Sequence, residues 1–577
     1  MTTRTLEPVA SVATQPAISL REVTKTYAGS DKPAVECLDM DITAGELVVF
    51  VGPSGCGKTT TLRMINRLEE PTTGSIHLNG KDVSGIPAPE LRRGIGYVIQ
   101  QGGLFPHQTV ETNIGCVPRL LGWPKARIRD RVEELVELVR LDPEVLRRYP
   151  SSLSGGQQQR VGVAHALAAD PPILLMDEPY SAVDPVVRSQ LRQELKSLQQ
   201  QLSKTIVLVT HDIDEAVELA DRVAVFAEGG RLVQYSVPTE LLARPNSSQV
   251  EEFLGEDRTL RRLSLLTVTT ATLERATGPT DHHLEVDSAM SLRTALDTLL
   301  TSATDRAAVI DLDGEFLGVL TMEAIARIAC GCAGSRTGSA VGDAQTKAVV
   351  MNSADALAAQ GPDSLIWWDW VARHSDEILT KTIEHLYLTA IAVGTGTLIA
   401  LALTVCGLRI RWTRSPIIWS TGVLYAIPSL ALFGFLVPIT GASVLTAEIA
   451  LVSYCLLILV QNLLAGIDGV PASVKDAADG MGLTGRERFT RIELPLAVPH
   501  FITGLRVATV STIGLVTVAA LVGHGGLGDF INDGLKRNFS TPIMVGVLGS
   551  IILAVAADAM FVAIQWMTTP WLRKSRA

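Results

Sequence analysis

The segment GPSGCGKTT at residues 52–60 constrains the fold of this chain more than any other feature. It fits the pattern G-x-x-x-x-G-K-[ST], in which glycines let backbone N–H groups surround a phosphate and the lysine adds a positive charge. An apolar run over 46–51 predicts a buried strand before the loop, and 61–68 has the pattern of a helix after it. A strand, a glycine-rich loop and a helix in this order predict a nucleotide-binding site in an α/β domain.

Length and charge limit the remaining possibilities. A chain of 577 residues is too long for one hydrophobic core, which predicts about three or four domains. The net charge of −10 argues against a general nucleic-acid-binding protein, because binding to phosphates needs a basic surface. The N-terminal residues contain no apolar signal sequence, so we expect the first domain to stay in the cytoplasm.

Polar side chains follow the apolar runs that are predicted to be strands. Residues 18–26 alternate between apolar and polar side chains as a strand would, and continuous apolar runs occupy residues 173–176, 206–209 and 223–226. The polar residues that follow the first three are Tyr27, Asp177 with Glu178, and Thr210 with His211. Helical segments separate these strands, which predicts a parallel α/β sheet with its ligand crevice at the carboxyl edge.

The segment LSGGQ at residues 153–157 lies between the phosphate loop and the strand that ends at Asp177. It resembles the signature of ABC transporter ATPases, and the resemblance covers residues 18 to about 250. The resemblance implies an α/β P-loop ATPase domain, over 17–255, that binds ATP with Mg²⁺. Hydrolysis needs positioning and charge neutralisation, for which a lysine, a metal, a carboxylate and a histidine suffice.

The resemblance implies a role for each motif residue. Glu178 would polarise the attacking water, His211 would contact the γ-phosphate, and Gln100 would link the γ-phosphate and Mg²⁺ to the membrane domain. The implied Mg²⁺ ligands are Thr59, Gln100 and, through water, Asp177. Tyr27 would stack on adenine, and the other implied ATP-binding residues are Gly52, Pro53, Ser54, Gly55, Cys56, Gly57, Lys58, Thr59, Thr60, Ser154, Gly155, Gly156, Gln157 and Asp184.

Two positions depart from the usual residues of the family. Val183 stands where leucine is common, in the loop that would cross between subunits, and His165 stands where arginine is common. Neither change removes a catalytic group, so we expect an active ATPase.

Residues 256–345 have the composition of a small soluble α/β unit. The patterns predict a helix over 291–300, strands over 307–311 and 316–321 joined by a tight turn at Asp313-Gly314, and a helix over 322–329. This order resembles a CBS domain, a regulatory module that binds adenosyl ligands or senses ionic conditions. Only one module is present, and a folded spacer without a ligand is the alternative.

Arginines around this segment suggest one regulatory hypothesis. Arg258, Arg261 and Arg262 at its start, with the basic tail at 573–576, could bind an anionic surface that salt would screen. The alternative is that they are ordinary solvated charges. Residues 346–380 are predicted to be a linker, of which 364–379 could form an interfacial helix.

The C-terminal part, residues 381–577, is predicted to be an all-α transmembrane permease domain. Five apolar runs have the length of about 20 residues that a membrane span requires: 382–408, 416–439, 444–467, 498–522 and 543–567. Basic residues after the first run, within 468–495 and at the tail are expected in the cytoplasm. Five spans would then begin outside, whereas the ATPase lies inside, so either a further crossing precedes them or one span is misjudged.

The polar insertion at 468–495 resembles the cytoplasmic coupling loop of ABC importer permeases. The residues that carry this resemblance are Asp476, Ala477, Ala478 and Gly482, followed by Leu494-Pro495. Exporters of the class normally lack this loop. The resemblance therefore implies uptake powered by ATP, with a short helix of the loop docked on the ATPase.

Two further segments, IPSLAL at 427–432 and GHGGLG at 523–528, resemble permeases of the glycine betaine, carnitine and choline family. The resemblance implies import of a quaternary-ammonium osmolyte across the cytoplasmic membrane, with a separate extracytoplasmic substrate-binding protein. A single ATPase and permease half would act as a homodimer embedded in membrane lipid. The alternatives are an importer of another small polar solute and a membrane-anchored regulatory ATPase without transport.

Overall fold

The computed structural model describes residues 16–100, 103–181, 184–255, 257–271, 273, 284–302, 304–311, 315–329 and 366–572. The chain divides into two compact units, Met1–Val341 with Asp476–Gly485, and Gly342–Lys475 with Arg486–Ala577. Several sequence predictions fall outside the described residues: residues 346–365 of the predicted linker, the turn at Asp313-Gly314, Val183 and the basic tail.

Three sheets organise the first unit. Its strands are β1 Ile18–Lys25, β2 Val35–Ile42, β3 Leu47–Val51, β4 Thr73–Leu78, β5 Lys81–Asp82, β6 Ile95–Val98, β7 Ile173–Asp177, β8 Thr205–Val209, β9 Arg222–Ala227, β10 Arg231–Ser236, β11 Glu285–Asp287, β12 Arg306–Ile310 and β13 Phe316–Thr321. The sheet orders are β2-β1-β4-β5, β10-β9-β3-β8-β7-β6 and β11-β12-β13. The second sheet is parallel except for β10, which confirms the predicted α/β arrangement.

Helices surround these sheets. They are α1 Lys58–Ile65, α2 Ala88–Arg93, α3 Val110–Ile114, α4 Cys116–Leu120, α5 Lys125–Leu138, α6 Gly155–Leu167, α7 Pro185–Leu202, α8 Ile213–Leu219, α9 Pro238–Ala243, α10 Ser248–Leu254, α11 Arg258–Leu265, α12 Leu292–Thr301 and α13 Met322–Ala329. Strands β3, β7 and β8 are buried along their whole length, as their continuous apolar runs predict.

Helix α1 begins three residues before its predicted start at 61, immediately after the phosphate loop. Gly57 closes that loop with a φ of 94°, and a Cβ there would lie 2.2 Å from the carbonyl oxygen of Ala34. Only glycine fits this close approach in the left-handed region. The turn therefore places Lys58 and Thr59 in the first turn of the helix, beside the loop.

The middle segment has a hydrophobic core of its own, in which Leu292, Val309 and Leu320 are buried. The predicted helices and strands of this segment are confirmed, and Ser291 caps α12 by accepting a hydrogen bond from the Thr294 N–H. The resemblance to a CBS domain stays a prediction.

Two of the arginines in the regulatory hypothesis form ion pairs within the first unit. Arg261 Nε lies 2.5 Å from Asp214 Oδ1 in the ATPase, and Arg258 lies 3.1 Å from Glu251. Both side chains are largely buried, so they join the middle segment to the ATPase. The hypothesis that they present a free basic surface is therefore wrong for these two residues.

Helices form the second unit, together with α19, whose last five residues belong to the first unit. They are α14 Trp368–Arg373, α15 Ser375–Arg409, α16 Arg414–Ala426, α17 Ser429–Thr440, α18 Val444–Asp468, α19 Ala472–Gly480, α20 Gly485–Arg488, α21 Leu494–Ala519, α22 Leu527–Arg537 and α23 Ser540–Thr568. By length and composition, the described residues contain four helices able to cross a membrane, or five if one bent pair is counted.

That bent pair corresponds to the predicted span 416–439, which is broken rather than continuous. Helices α16 and α17 meet at 95° across Ile427 and Pro428. Proline has no N–H and disfavours the helical conformation of the residue before it, and Ile427 is extended with ψ 125°. The sequence contained this signal, since a proline lies inside the apolar run.

The described part of the predicted interfacial segment, residues 366–379, is divided between α14 and the start of α15. Trp370 packs edge-on against Phe530 and Phe539, and the N–H of Trp367 donates to the Thr541 hydroxyl over 3.0 Å. These contacts attach the chain before α15 to α22 and α23. Among the described residues, this segment supplies no additional membrane span.

Small residues and charge pairs hold the long helices of the second unit together. A Cβ on Gly504 would lie 2.7 Å from that of Asn462, so α21 and α18 approach closely at this point. Arg506 pairs with Asp558 between α21 and α23, and Arg414 pairs with Asp468 at the ends of α16 and α18.

Candidate functional site

The phosphate loop positions a buried lysine. Lys58 Nζ donates to the carbonyl oxygens of Gly52 over 2.7 Å and Pro53 over 2.9 Å, and the side chain is almost fully buried. The loop curves tightly, because a Cβ on Gly52 would lie 2.2 Å from the Phe226 carbonyl oxygen. A phosphate bound against the loop would give this ammonium group an anionic partner.

Thr59 and Asp177 form the pair of oxygens that fits Mg²⁺. The Thr59 hydroxyl donates to Asp177 Oδ1 over 2.9 Å, although the two residues are 118 positions apart. Burial raises the pKa of Asp177 above its ordinary value, and the hydrogen bond from Thr59 opposes that shift. A divalent cation here would favour the ionised carboxylate, and one carboxylate with a hydroxyl is a usual protein contribution to a nucleotide-bound Mg²⁺.

Glu178 lies at the centre of three predicted catalytic residues. Gln100 Nε2 donates to Glu178 Oε2 over 2.9 Å, and His211 Nδ1 lies 3.4 Å from Glu178 Oε1. The backbone of Glu178 is left-handed with φ 44°, and its N–H donates to the Val209 carbonyl oxygen. This unusual conformation turns the side chain beside the end of β7, and strained backbone of this kind is common at functional sites.

Tyr27 lies at the end of β1 with 41% of its surface exposed. Lys25 Nζ lies 5.0 Å from the centre of its ring, a distance at which a cation interacts with an aromatic face. An exposed ring next to a fixed positive charge is suited to stacking on a base of an anionic nucleotide.

The signature segment begins helix α6 through a capping box. The Ser154 hydroxyl accepts from the Gln157 N–H over 3.3 Å, and Gln157 Oε1 accepts from the Ser154 N–H over 3.0 Å. Gly155 and Gly156 form the first turn, where free backbone N–H groups attract anions. Asp184, in the predicted intersubunit loop, is exposed before α7.

His165, one of the two departures from the family, is buried inside the ATPase. It lies in α6 with 3% of its surface exposed, and its ring packs near the ring of Phe105, with 6.3 Å between the ring centres. Burial and the nearby Arg119 lower the pKa of His165 to about 4. A neutral imidazole therefore occupies this core position at neutral pH.

The coupling residues predicted from the sequence pack on the ATPase within the first unit. Asp476 Oδ2 lies 3.4 Å from Arg63 Nη2, and Ala477 and Ala478 are fully buried. Gly482 has a φ of 76°, and a Cβ there would lie 2.3 Å from the Pro89 carbonyl oxygen. This segment therefore ends in a close fit that a larger residue would disrupt.

Sequence reasoning missed the ATPase residues that form the socket, which is the surface that holds the coupling segment. Arg92 Nη1 donates to the Asp479 carbonyl oxygen over 3.3 Å, and Asn66 Nδ2 donates to that of Gly480 over 3.4 Å. Tyr97 packs against Gly480, where a Cβ would lie 2.6 Å from its ring. No signal in one sequence pairs residues almost 400 positions apart, so only the fold could identify them.

One helix joins the socket to the phosphate loop. Helix α1 carries Lys58 and Thr59 in its first turn and Arg63, the partner of Asp476, one turn later. A shift of the coupling segment would therefore act on the helix that begins at the nucleotide. Bound ATP with Mg²⁺ supplies the scissile phosphoanhydride, and the surrounding side chains can orient a water and neutralise charge.

Comparisons with known proteins agree with this arrangement. The family described as "ABC transporter" matches residues 35–181, and the family described as "Binding-protein-dependent transport system inner membrane component" matches residues 387–569. The glycine betaine/carnitine/choline transport ATP-binding protein OpuCA of Bacillus subtilis is 53% identical over 244 residues, which cover 42% of this chain and 64% of that protein.

Two other relatives match a longer part of the chain. The osmoprotectant import ATP-binding protein OsmV of Salmonella typhimurium is 48% identical over 305 residues, which cover 52% of this chain and 78% of that protein. The glycine betaine uptake system ATP-binding protein YehX of Escherichia coli is 44% identical over 306 residues, which cover 52% of this chain and 97% of that protein.

The fold, the phosphate site and the apolar helices define a chain that joins an ABC-type ATPase to the membrane component of a binding-protein-dependent transport system. The chain belongs to the ABC transporter family. It is a multi-pass membrane protein, and its ATPase domain lies on the cytoplasmic side.

Proposed function

We propose that this chain imports a small quaternary-ammonium osmolyte, of the glycine betaine, choline or carnitine type, across the cytoplasmic membrane at the expense of ATP. The observation that carries the proposal is the extent of the match to osmoprotectant ATPases. The alignments with OsmV and YehX run over 305 and 306 residues, more than the 244 residues aligned with OpuCA. The alignments with these two import proteins therefore cover more of this chain than the alignment with OpuCA does.

Import, rather than export or regulation alone, is supported by the coupling segment. Its buried alanines and the ion pair between Asp476 and Arg63 tie the loop between α18 and α21 to the ATPase. A regulatory ATPase without transport would have no need for such a connection. An importer of another small polar solute remains the second candidate, because the ATP site does not contact the solute.

The assembly we propose is a homodimer with a separate extracytoplasmic binding protein. In ABC ATPases the phosphate loop of one subunit faces the signature of the other, and this chain has one of each motif. Two copies would complete two equivalent ATP sites. The family match to binding-protein-dependent membrane components supports the need for an external protein that captures the solute.

The roles of the site residues are part of the proposal. Glu178 orients and polarises the attacking water, His211 contacts the γ-phosphate, and Gln100 links the γ-phosphate and Mg²⁺ to the membrane domain. Lys58 and the loop N–H groups hold the phosphates, Thr59 and Asp177 hold Mg²⁺, and Tyr27 stacks on adenine. Ser154 to Gln157 contact the ATP of the other subunit.

Uptake into proteoliposomes tests this function. The purified chain is reconstituted with the candidate binding protein outside and ATP inside, and labelled glycine betaine, choline, carnitine and an unrelated polar solute are offered in turn. We expect ATP-dependent uptake of at least one quaternary-ammonium compound. Uptake of the unrelated solute alone would favour the second candidate, and ATP hydrolysis without uptake of any solute would favour the regulatory ATPase.

The mass of the active species tests the assembly. In detergent, light scattering should give twice the chain mass of 61.7 kDa for the fraction that hydrolyses ATP. Full activity in a fraction with the mass of one chain would contradict the homodimer.

A further inference from the structure

A half-open cavity of about 370 Å³ lies beside the break between α16 and α17 in the second unit. Its walls come from the two broken helices, from α18 and from α21. This volume falls within the range of small-molecule sites, which is about 300 to 1,000 Å³. In membrane proteins, broken helices commonly occur where backbone lines a cavity for a transported solute.

Two tyrosine rings form a corner of this cavity. Tyr425 and Tyr454 are 5.9 Å apart between ring centres and meet at 69°, so one ring presents its edge to the face of the other. The Tyr454 hydroxyl donates to the Ile427 carbonyl oxygen, which fixes that ring against the break. Both rings line the cavity, and because their planes are turned by 69° their faces point in different directions.

The rest of the wall is uncharged. Hydroxyl groups come from Ser429, Ser511 and Thr512, and a thiol comes from Cys455, which lies 3.0 Å from the Thr512 hydroxyl. No Asp, Glu, Lys, Arg or His is among the described residues that line the cavity. A protonated amine would need carboxylate or several acceptor partners here, whereas a methylated ammonium needs only aromatic faces.

The helix ends at the break bring opposite partial charges to the wall of the cavity. Helix α16 ends at Ala426 with carbonyl groups that lack helical partners, and α17 begins at Ser429 with N–H groups that lack them. No side chain caps the start of α17. A zwitterion with a cationic and an anionic end would match these two ends.

We propose that this cavity is a second binding site for the transported solute, within the permease itself, and that it takes a methylated quaternary-ammonium carboxylate. Tyr425 and Tyr454 hold the methylated ammonium, and the start of α17 faces the carboxylate. The inference rests on the proposed function, since it names a site on the path of the same solute. It makes the permease selective in addition to the external binding protein.

Direct binding to the full chain in nanodiscs, without the binding protein and without nucleotide, tests the site. Labelled glycine betaine should bind saturably, and tetramethylammonium should compete. Dimethylglycine should compete more weakly, and glycine and spermidine should not compete, because they lack a methylated quaternary ammonium. Equal competition by glycine and glycine betaine would overturn the aromatic recognition.

Variants at Tyr425 give a matched comparison, since this residue is 46% exposed and its truncation removes little core packing. Tyr425→Phe keeps the ring, so its affinity should stay within about twofold, whereas Tyr425→Leu should lose about tenfold. Tyr387→Leu on α15 is the control, because Tyr387 is 60% exposed and does not line the cavity. Gel-filtration profiles and melting curves show whether each variant folds.

The outcomes separate this inference from the proposed function. If the wild-type chain takes up glycine betaine in proteoliposomes but binds none in nanodiscs, the permease site is refuted and the importer stands. Equal affinities of Tyr425→Leu, Tyr425→Phe and wild type also refute it. If no quaternary-ammonium compound is transported at all, the proposed function itself fails.

Discussion

Replacing Glu178 with glutamine removes the proposed base and leaves the phosphate loop unchanged. Glutamine has almost the same shape, and its amide oxygen can accept the hydrogen bond that Gln100 donates over 2.9 Å. The left-handed backbone at φ 44° costs a similar amount for either side chain. We therefore expect the variant to fold and to bind ATP as the wild type does.

The expected loss is confined to the chemical step. A positioned base contributes about 10²- to 10⁴-fold to a rate, which corresponds to about 3–5 kcal/mol of the barrier. The amide cannot take a proton from water, and its NH₂ group would face His211, which lies 3.4 Å from the present carboxylate. The kcat for ATP should therefore fall by that factor, with little change in the dissociation constant for ATP.

Phosphate release from reconstituted vesicles and equilibrium binding of a fluorescent ATP analogue measure the two quantities. Glu133→Gln on α5 is the control, since its carboxylate is exposed and the charge change is the same. Lys58→Ala should show the opposite pattern, with weaker ATP binding, because this lysine lies against the loop carbonyls. An unaltered kcat for Glu178→Gln would refute the assignment, and a much larger loss in His211→Ala than in Glu178→Gln would assign the base to His211.

Three other predictions follow from buried groups and close contacts. Burial raises the pKa of Asp177, so its ionised form costs stability at neutral pH, and this cost disappears as the pH falls through the folded-state pKa. Asp177→Asn should therefore raise the melting temperature of the nucleotide-free protein at pH 7 by a few degrees, and it should weaken Mg²⁺-dependent ATP binding. An unchanged melting temperature would contradict this prediction. The pKa of His165, about 4, lies below the ordinary value of 6.5, so the stability that its neutral form contributes is present above pH 6.5 and is lost as the pH falls through about 4. Denaturant unfolding should show that the wild type loses up to about 3 kcal/mol of stability over that pH window. The variant His165→Gln should not show this loss. Gly482→Val should abolish uptake and the stimulation of ATP hydrolysis by the binding protein, because the valine Cβ would lie 2.3 Å from the Pro89 carbonyl oxygen. Gly485→Ala is the control and should behave as wild type, because a Cβ at Gly485 has no atom within 4 Å. Equal uptake by both variants would show that the socket tolerates displacement.

Local sequence patterns determined much of this protein. The glycine spacing of residues 52–60 specifies a phosphate loop because each glycine is needed where backbone turns closely or with positive φ. Apolar runs of about 20 residues specify membrane helices because their backbone polar groups must be paired within the segment. The motif order then specifies the ATPase and its family, since each motif carries its chemistry in a few adjacent residues.

Contacts between distant segments needed the tertiary structure. The sequence placed Asp177, Glu178 and His211 at strand ends, but the backbone turn at Glu178 and its contact with Gln100 appear only when β6, β7 and β8 lie side by side. The helix break at Pro428 was visible as a proline, whereas the cavity beside it depends on Tyr454 from another helix. The socket residue Asn66 meets Gly480 across 414 positions of chain, and one sequence holds no record of pairings formed by packing over such separations.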